Sequence, residues 1–355
     1  VDPQTGTLYD AVPTEALDEG VGEEDEVITD DRLRLVFTCC HPALAREAQV
    51  ALTLRLVCGL STADIASAFL VSEPTMAARV TRAKKKITGA RIPYRVPEAA
   101  ELPDRLDAVL TVVHLLFTAG HTAPTGGDLV RDELVERAVA LGRMLTVLMP
   151  DEREAAGLLA LMLITDSRRD ARLDDSGQLV LLEDQDRSRW DREQIDQGHQ
   201  LVVAALRGGR PGRFALQAAI AALHGRSPSW EETDWTQILA IYDLLVVAWP
   251  SPVVALNRAV ALSMVHGPQR ALDEVAVIEH GGRLAAYHYL PAAKADFLRR
   301  LGRADEARVA YREALDLVGN EAERAFLERR LAELGRPASA DNQSAPRRDD
   351  GTLTG

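Results

Sequence analysis

Hydrophobic residues recur at helical spacing along most of the chain, and short polar or Gly/Pro breaks divide them into helix-length segments. The first two segments are 31–38 and 43–58, separated by His41 and Pro42. Gly59 is expected to end the second helix, because glycine readily adopts the left-handed backbone of a C-cap. The N-terminal part of the chain is therefore predicted to be helical from about residue 31.

The next two segments predict a helix-turn-helix. A short helix at 62–69 is followed by a turn at 70–71 and a longer helix at 73–87. Ser72 is a favourable N-cap for the longer helix, and Pro74 lies in its first turn, where a missing N–H costs nothing. In such motifs the second helix enters the major groove of DNA.

The 73–87 helix is expected to have two distinct faces. Met76, Val80, Ala83 and Ile87 are spaced as a buried stripe that packs on residues of the preceding helices, namely Ile65, Phe69 and Leu56. Arg79, Arg82 and Lys86 lie on a different face, which is predicted to be solvated. The candidate DNA-binding residues are Ser72, Thr75, Ala77, Ala78, Arg79, Arg82, Lys85 and Lys86. The alternative interpretation is that the basic run is only a solvated helix face.

The remainder of the chain predicts an all-α fold. Further helices are expected at 106–119, 129–149, 152–166, 194–207, 214–224 and 235–249. The exception is a turn at 174–177 beside a short β-like run, which predicts an isolated hairpin or an extended loop. Near the end, Gly302, Ala307, Tyr311 and Ala314 have the spacing of a tetratricopeptide repeat, and 257–277 is a looser copy about 35 residues earlier.

These breaks divide the chain into five parts. The predicted domains are a flexible acidic linker at 1–30, a helix-turn-helix domain at 31–97, a helical domain at 98–250, tetratricopeptide-like repeats at 251–334 and a disordered tail at 335–355. Stacked repeats of this kind present concave surfaces to peptides, so we expect a protein or peptide partner for the C-terminal part.

The charge of the chain is unevenly distributed. The 355 residues carry a formal net charge of -13, and residues 1–30 contain ten acidic residues and no Lys or Arg. Residues 31–97 contain eleven basic and four acidic residues, for a net charge of +7. A basic module between acidic flanks favours an anionic partner for that module alone.

Composition places the chain among cytoplasmic proteins. With 46% hydrophobic and 27% charged residues, it can build a sizeable core, and no apolar run approaches the length of a membrane span or a secretory signal. Cys39, Cys40 and Cys58 are too few for a disulfide framework. We therefore expect a cytoplasmic location and no membrane partner.

Two clusters were considered for metal binding or catalysis. Cys39, Cys40 and His41 are adjacent, but no second Cys/His pair lies at zinc spacing, so buried thiols are the preferred interpretation. The cluster Glu183, Asp184, Asp186 and Arg187 could be a carboxylate site or a salt-bridged loop, and we favour a loop that recognises a partner or signal. No metal, no cofactor and no enzymatic activity are expected.

Several stretches resemble the extracytoplasmic-function sigma factors of RNA polymerase. FTCCHPAL (37–44), VALTLRLVCGLSTADIASAFLVSEPTMAARVTRAKKKI (50–87) and IPYRVP (92–97) are similar to sigma region 4, and LVLLEDQDRSRWD (179–191) is similar to the subgroup with a helical C-terminal extension. The resemblance implies that the helix at 73–87 contacts the promoter −35 element and that the domain binds the flap of RNA polymerase.

The same resemblance raises the question of region 2, which in the family grips the polymerase and melts the −10 element. No stretch of this sequence corresponds to it, and residues 1–30 resemble the linker that normally follows it. We therefore expect that this chain alone does not open a promoter. Two hypotheses remain: a sigma-type initiation factor regulated by its C-terminal domain, or a helical-repeat adaptor that binds DNA without initiating transcription.

Overall fold

The secondary structure is helical, as the sequence predicts. The computed structural model describes residues 24–69, 71–98, 100–121, 132–175, 178–319 and 321–334. Across these ranges, β-structure is limited to one antiparallel bridge between Leu173 and Leu179, which confirms the predicted hairpin or extended loop. Most of the predicted linker (1–23), the predicted tail (335–355) and residues 176–177 of the predicted turn lie outside the described residues.

The helices of the described ranges follow one another through connections of varied length. The first seven are α1 (Glu24–Cys39), α2 (Arg46–Leu52), α3 (Thr62–Ala68), α4 (Glu73–Gly89), α5 (Leu102–His121), α6 (Asp132–Leu148) and α7 (Arg153–Asp166). The remaining ones are α8 (Arg192–Leu206), α9 (Arg213–Arg226), α10 (Trp235–Ala248), α11 (Pro252–His266), α12 (Pro268–His280), α13 (Tyr289–Arg300), α14 (Ala304–Leu317) and α15 (Glu321–Glu333). Single 3₁₀ turns occupy Arg169–Ala171 and Arg187–Arg189.

Two N-terminal helices differ from their predicted bounds. α1 begins at Glu24, ahead of the predicted start at residue 31. The helix predicted at 43–58 begins only at Arg46, because Ala45 has an extended backbone, and it continues as a π-helix over Thr53–Val57. The Cys58 N–H donates to the Thr53 carbonyl at 3.1 Å, a bond with five-residue spacing that hydrophobic periodicity does not reveal.

One hydrophobic core connects the helix-turn-helix to the helices that follow it. Phe37, Leu52 and Met76 are buried in the same cluster as Leu116 of α5 and Leu158 of α7. The predicted domain boundary at residue 97 is therefore not a break in the core. α1–α4 pack on α5–α7 as parts of one body.

The C-terminal helices pack in successive pairs. Gly267 joins α11 to α12 and Gly302 joins α13 to α14, each with a positive φ that side chains other than glycine rarely adopt. Ala307, Tyr311 and Ala314 are buried against α13, as the sequence predicts. Small side chains at the α13–α14 contact bring the two backbones close.

In the part of the chain that the structure describes, no helix is both long and apolar enough to cross a membrane.

Candidate DNA-binding surface

The turn between α3 and α4 is fixed by local hydrogen bonds. The Val71 N–H donates to the Ala66 carbonyl at 3.0 Å, which closes the end of α3. The Ser72 hydroxyl accepts from the Thr75 N–H at 3.4 Å, so Ser72 is the N-cap that the sequence predicts. Its hydroxyl also lies 2.8 Å from the Thr75 hydroxyl, which orients both polar groups at the start of α4.

The buried stripe of α4 is confirmed. Met76, Val80, Ala83 and Ile87 are at most 7% exposed and belong to the core cluster. Ile65 is buried in the same cluster, and Phe69 and Leu56 pack at its edge. The stripe holds α4 against the body of the protein and fixes which face of the helix is directed outward.

The outward face of α4 carries small and basic side chains. Every candidate residue except Arg79 is exposed, namely Ser72, Thr75, Ala77, Ala78, Arg82, Lys85 and Lys86. Glu73 is the one acidic residue of the helix, and it lies in the first turn. The face is therefore electropositive from Arg82 to the end of the helix, although the whole chain is acidic.

Arg79 does not share the solvated face of Arg82 and Lys86. Its side chain is half-buried and lines an apolar cleft of about 410 Å³ between α2, α4 and α5. The cleft also contains Phe69 and Met76. At helical spacing, Arg79, Arg82 and Lys86 are spread over an arc of the helix surface. This arc is wide enough that Arg79 lies at the edge of the packed face.

Two basic residues that the sequence analysis did not single out extend this surface. Arg46 is exposed at the start of α2 and lines the same cleft as Arg79. Arg91 is exposed just after α4, with φ 49°. Arg91 follows the basic run directly, so its position in the sequence could have identified it as a candidate. Arg46 is distant in sequence, and no local pattern relates it to α4.

The acidic loop predicted as a partner surface is only partly free. Glu183 forms an ion pair with Arg330 of α15 at 3.4 Å, and the Asp186 side chain accepts from the Ser188 N–H at 2.9 Å. Asp184 is exposed. Arg187 has a structural position: it lies 4.4 Å from the Trp190 ring centroid and donates to the carbonyls at the end of α9 and just after it. The cluster is therefore a salt-bridged loop, and Arg187 supports it from within.

The cysteines are buried thiols, as predicted. Cys39 and Cys40 lie inside the core, and burial raises the pKa of Cys40 to about 12 and that of the half-buried Cys58 to about 11. Thiols with such pKa values remain protonated at neutral pH and are poor nucleophiles and poor metal ligands. Among the described residues, no group of three or more His, Cys, Asp or Glu side chains is arranged to hold a metal ion.

Comparison with known proteins supports this site. Residues 34–87 match sigma-70 region 4, a DNA-binding transcription-factor domain that is not an enzyme, and residues 105–206 match a family of unknown function (DUF6596). The "Uncharacterized protein R00370" of Rhizobium meliloti (strain 1021) is 46% identical over 305 residues, which cover 86% of this chain and 72% of that protein. The chain therefore belongs to the same family as the Rhizobium meliloti protein, and it is a sigma-factor-like protein with a sigma-70 region 4 domain.

Proposed function

We propose that the chain is a sigma-type transcription initiation factor that binds the −35 element of a promoter through the outward face of α4. The observation that carries this proposal is the division of α4 into a buried apolar stripe and an exposed face of small and basic residues, within a stretch that matches sigma-70 region 4. The choice of the −35 element and the contact with RNA polymerase are proposed from the resemblance to extracytoplasmic-function sigma factors.

The chemistry of the outward face suits a major groove. Ala77 and Ala78 are exposed near the N-terminus of α4 and let the helix backbone approach base edges closely. Thr75 offers a hydroxyl and a methyl group at the same end. Arg82, Lys85 and Lys86 lie further along the helix, where they would contact phosphates and position the helix without reading sequence.

The apolar cleft beside α4 is our candidate for the contact with RNA polymerase. It is lined by Val50, Ala51, Leu115 and Ala119, and it carries charges of both signs from Arg46, Glu47 and Arg79. An apolar cleft with a few charged groups suits an amphipathic helix of a partner protein. We propose that the polymerase flap binds here, next to the DNA-binding face.

The helical remainder of the chain is proposed to regulate the helix-turn-helix. α5–α7 share a core with α1–α4, so a partner that shifts the later helices acts on packing that supports α4. We further propose that α11–α15 form tetratricopeptide-like repeats, on the basis of their paired packing and the positive-φ glycines at equivalent connections.

The proposed promoter recognition can be tested by selection from a library of random duplex DNA with the full-length protein. We expect enrichment of one short motif, the length of a single recognition helix in a major groove. Thr75→Ala should weaken the preference at one or two positions of that motif, whereas Glu136→Ala on α6 should leave it unchanged. Recovery of no motif would overturn sequence-specific recognition and would leave an adaptor role for the protein.

A further inference from the structure

The loop that follows α7 lies against α15, the last of the described helices. Arg329 of α15 donates from Nη1 to the Gln178 side-chain oxygen at 2.6 Å and from Nη2 to the Leu179 carbonyl at 3.5 Å. The next residue, Arg330, pairs with Glu183 at 3.4 Å. Contacts to a backbone carbonyl and to side chains on both sides of it are those that a protein makes with a bound peptide.

A cavity of about 230 Å³ lies between the loop and the C-terminal helices. Leu181 and Glu183 line it from the loop side. Asp296 of α13, Tyr311 of α14 and Phe326 of α15 line it from the other side, together with Trp230. Leu181 therefore shares the cavity with mainly apolar and aromatic side chains, while Arg330 pairs with the Glu183 carboxylate.

Each side of this contact also has internal contacts of its own. On the loop side, the Val180 N–H donates to the Arg172 carbonyl at 2.8 Å, and Leu182 packs near Trp190. On the helix side, the Glu323 carboxylate of α15 accepts a hydrogen bond from the Tyr289 hydroxyl of α13. The loop and the helical surface are thus each held by contacts of their own, and Arg172 beside the loop also interacts electrostatically with Glu323 of α15.

We infer that segment 178–183 is an internal peptide ligand of the surface formed by α13, α14 and α15, and that this surface also binds a partner peptide of the same chemistry. That peptide would be extended at the positions of residues 178–180 and would turn at two adjacent apolar residues followed by a carboxylate, as the Asp184 N–H closes a turn on the Leu181 carbonyl at 2.9 Å. Concave surfaces of paired helices commonly take such peptides. The internal segment occupies the place of the partner and lowers its apparent affinity by competition.

The test uses a fluorescent peptide of sequence QLVLLEDQ, which corresponds to residues 178–185, and full-length protein in a fluorescence anisotropy titration. Glu183→Lys in the protein places a positive charge opposite Arg330 and weakens the internal contact, while the helical surface is unchanged. We expect this variant to bind the peptide about fivefold more tightly than the wild type does. A peptide with lysine at the position of Glu183 is the matched control and should bind weakly to both proteins.

A second variant keeps the test decisive if Glu183→Lys alters the loop in other ways. In Glu183→Lys/Arg330→Glu the exchanged charges can pair again, so binding of the QLVLLEDQ peptide should fall below that of Glu183→Lys alone, while the lysine peptide should gain affinity. Equal affinity of the wild type and Glu183→Lys, or equal binding of the two peptides to Glu183→Lys, would overturn the inference. The assay contains no DNA, so its result is independent of promoter binding.

Discussion

A buried arginine joins the helix-turn-helix to the helix that supports it. Arg105 of α5 is 9% exposed and donates from Nη2 to the Phe37 carbonyl of α1 at 2.5 Å. Phe37 is near the C-terminus of α1, where carbonyls lack partners within the helix. Arg105 therefore satisfies a buried acceptor and positions α1 on α5.

We predict that Arg105→Met lowers the free energy of unfolding by about 2–3 kcal/mol, because the Phe37 carbonyl would lose a charged donor while it remains buried. Arg137→Met, at an exposed position of α6, should change it by less than about 0.5 kcal/mol. Denaturant unfolding of the two variants measures the difference. Equal stabilities would show that Arg105 contributes little to this packing.

Largely buried histidines make stability depend on pH, and His121 and His224 are two of them. Burial, with Arg172 and other arginines nearby, lowers the pKa of His121 to about 2. Burial, with Arg168 and Arg187 nearby, lowers the pKa of His224 to about 4. The unfolded chain binds a proton at each histidine near pH 6.5, whereas the folded chain does not, so protonation favours the unfolded state as pH falls below about 6.5.

The free energy of unfolding should accordingly decrease below about pH 6.5, by up to roughly 1.4 kcal/mol per pH unit for each buried histidine down to its folded pKa. His224→Phe should reduce this slope between pH 6.5 and 4 by roughly 1.4 kcal/mol per pH unit, because one fewer proton is bound on unfolding. The exposed His280→Phe is the matched control. Unfolding curves recorded across this pH range test the prediction, which fails if His224→Phe and wild type have the same slope.

At the scale of elements, a glycine permits the close approach of two helices. A Cβ on Gly157 of α7 would lie 2.6 Å from the Ala215 nitrogen of α9, too close for any real contact. Backbone atoms cannot move aside as a flexible side chain can. α7 and α9 therefore depend on the missing side chain for their packing.

Gly157→Ala should destabilise the protein by at least about 1–3 kcal/mol, since α7 and α9 would have to separate. Gly89→Ala in the last turn of α4 is a suitable control, because a Cβ there meets no atom within 4 Å. Its stability should equal or slightly exceed that of the wild type. Equal melting temperatures of the two alanine variants in thermal unfolding would contradict this interpretation.

The pairing of α13 and α14 permits a similar test. Ala307 is fully buried at their contact, so Ala307→Leu should cost about 1–3 kcal/mol by overpacking. Val309→Leu, on the exposed side of α14, should have little effect. A neutral Ala307→Leu in chemical denaturation would argue against close packing of this helix pair.

The elements that could be predicted are those whose sequence pattern lies within a single helix or turn. The stripe from Met76 to Ile87 and the Ser72 cap follow from spacing and side-chain chemistry within one helix. The π-helix at Thr53–Val57 was not predicted, because it changes the hydrogen-bond spacing without changing the hydrophobic pattern. The contact between Glu183 and Arg330 spans 147 residues, and only the packed fold brings the two together.

At the scale of the whole molecule, α1–α3 and α5–α7 together support α4. The core is continuous from Leu33 to Phe214, and the outward face of α4 is directed away from it. Further along, the loop after α7 contacts α15, so the C-terminal helices are tied to the same body. The proposed DNA-binding face and the proposed peptide-binding surface therefore lie on different helices of one framework.

The central claim is that Arg82 and Lys86 contact DNA phosphates. We would measure the affinity of the protein of residues 1–355 for duplex DNA as a function of salt concentration. The wild type and Arg82→Ala/Lys86→Ala would be compared with the control Arg210→Ala/Arg283→Ala, whose arginines are exposed in connections far along the chain from α4. Loss of two phosphate contacts should weaken binding and reduce the slope of log K against log salt by about two units, whereas the control should match the wild type. An unchanged affinity and slope for Arg82→Ala/Lys86→Ala would contradict the assignment of α4 as the DNA-binding helix.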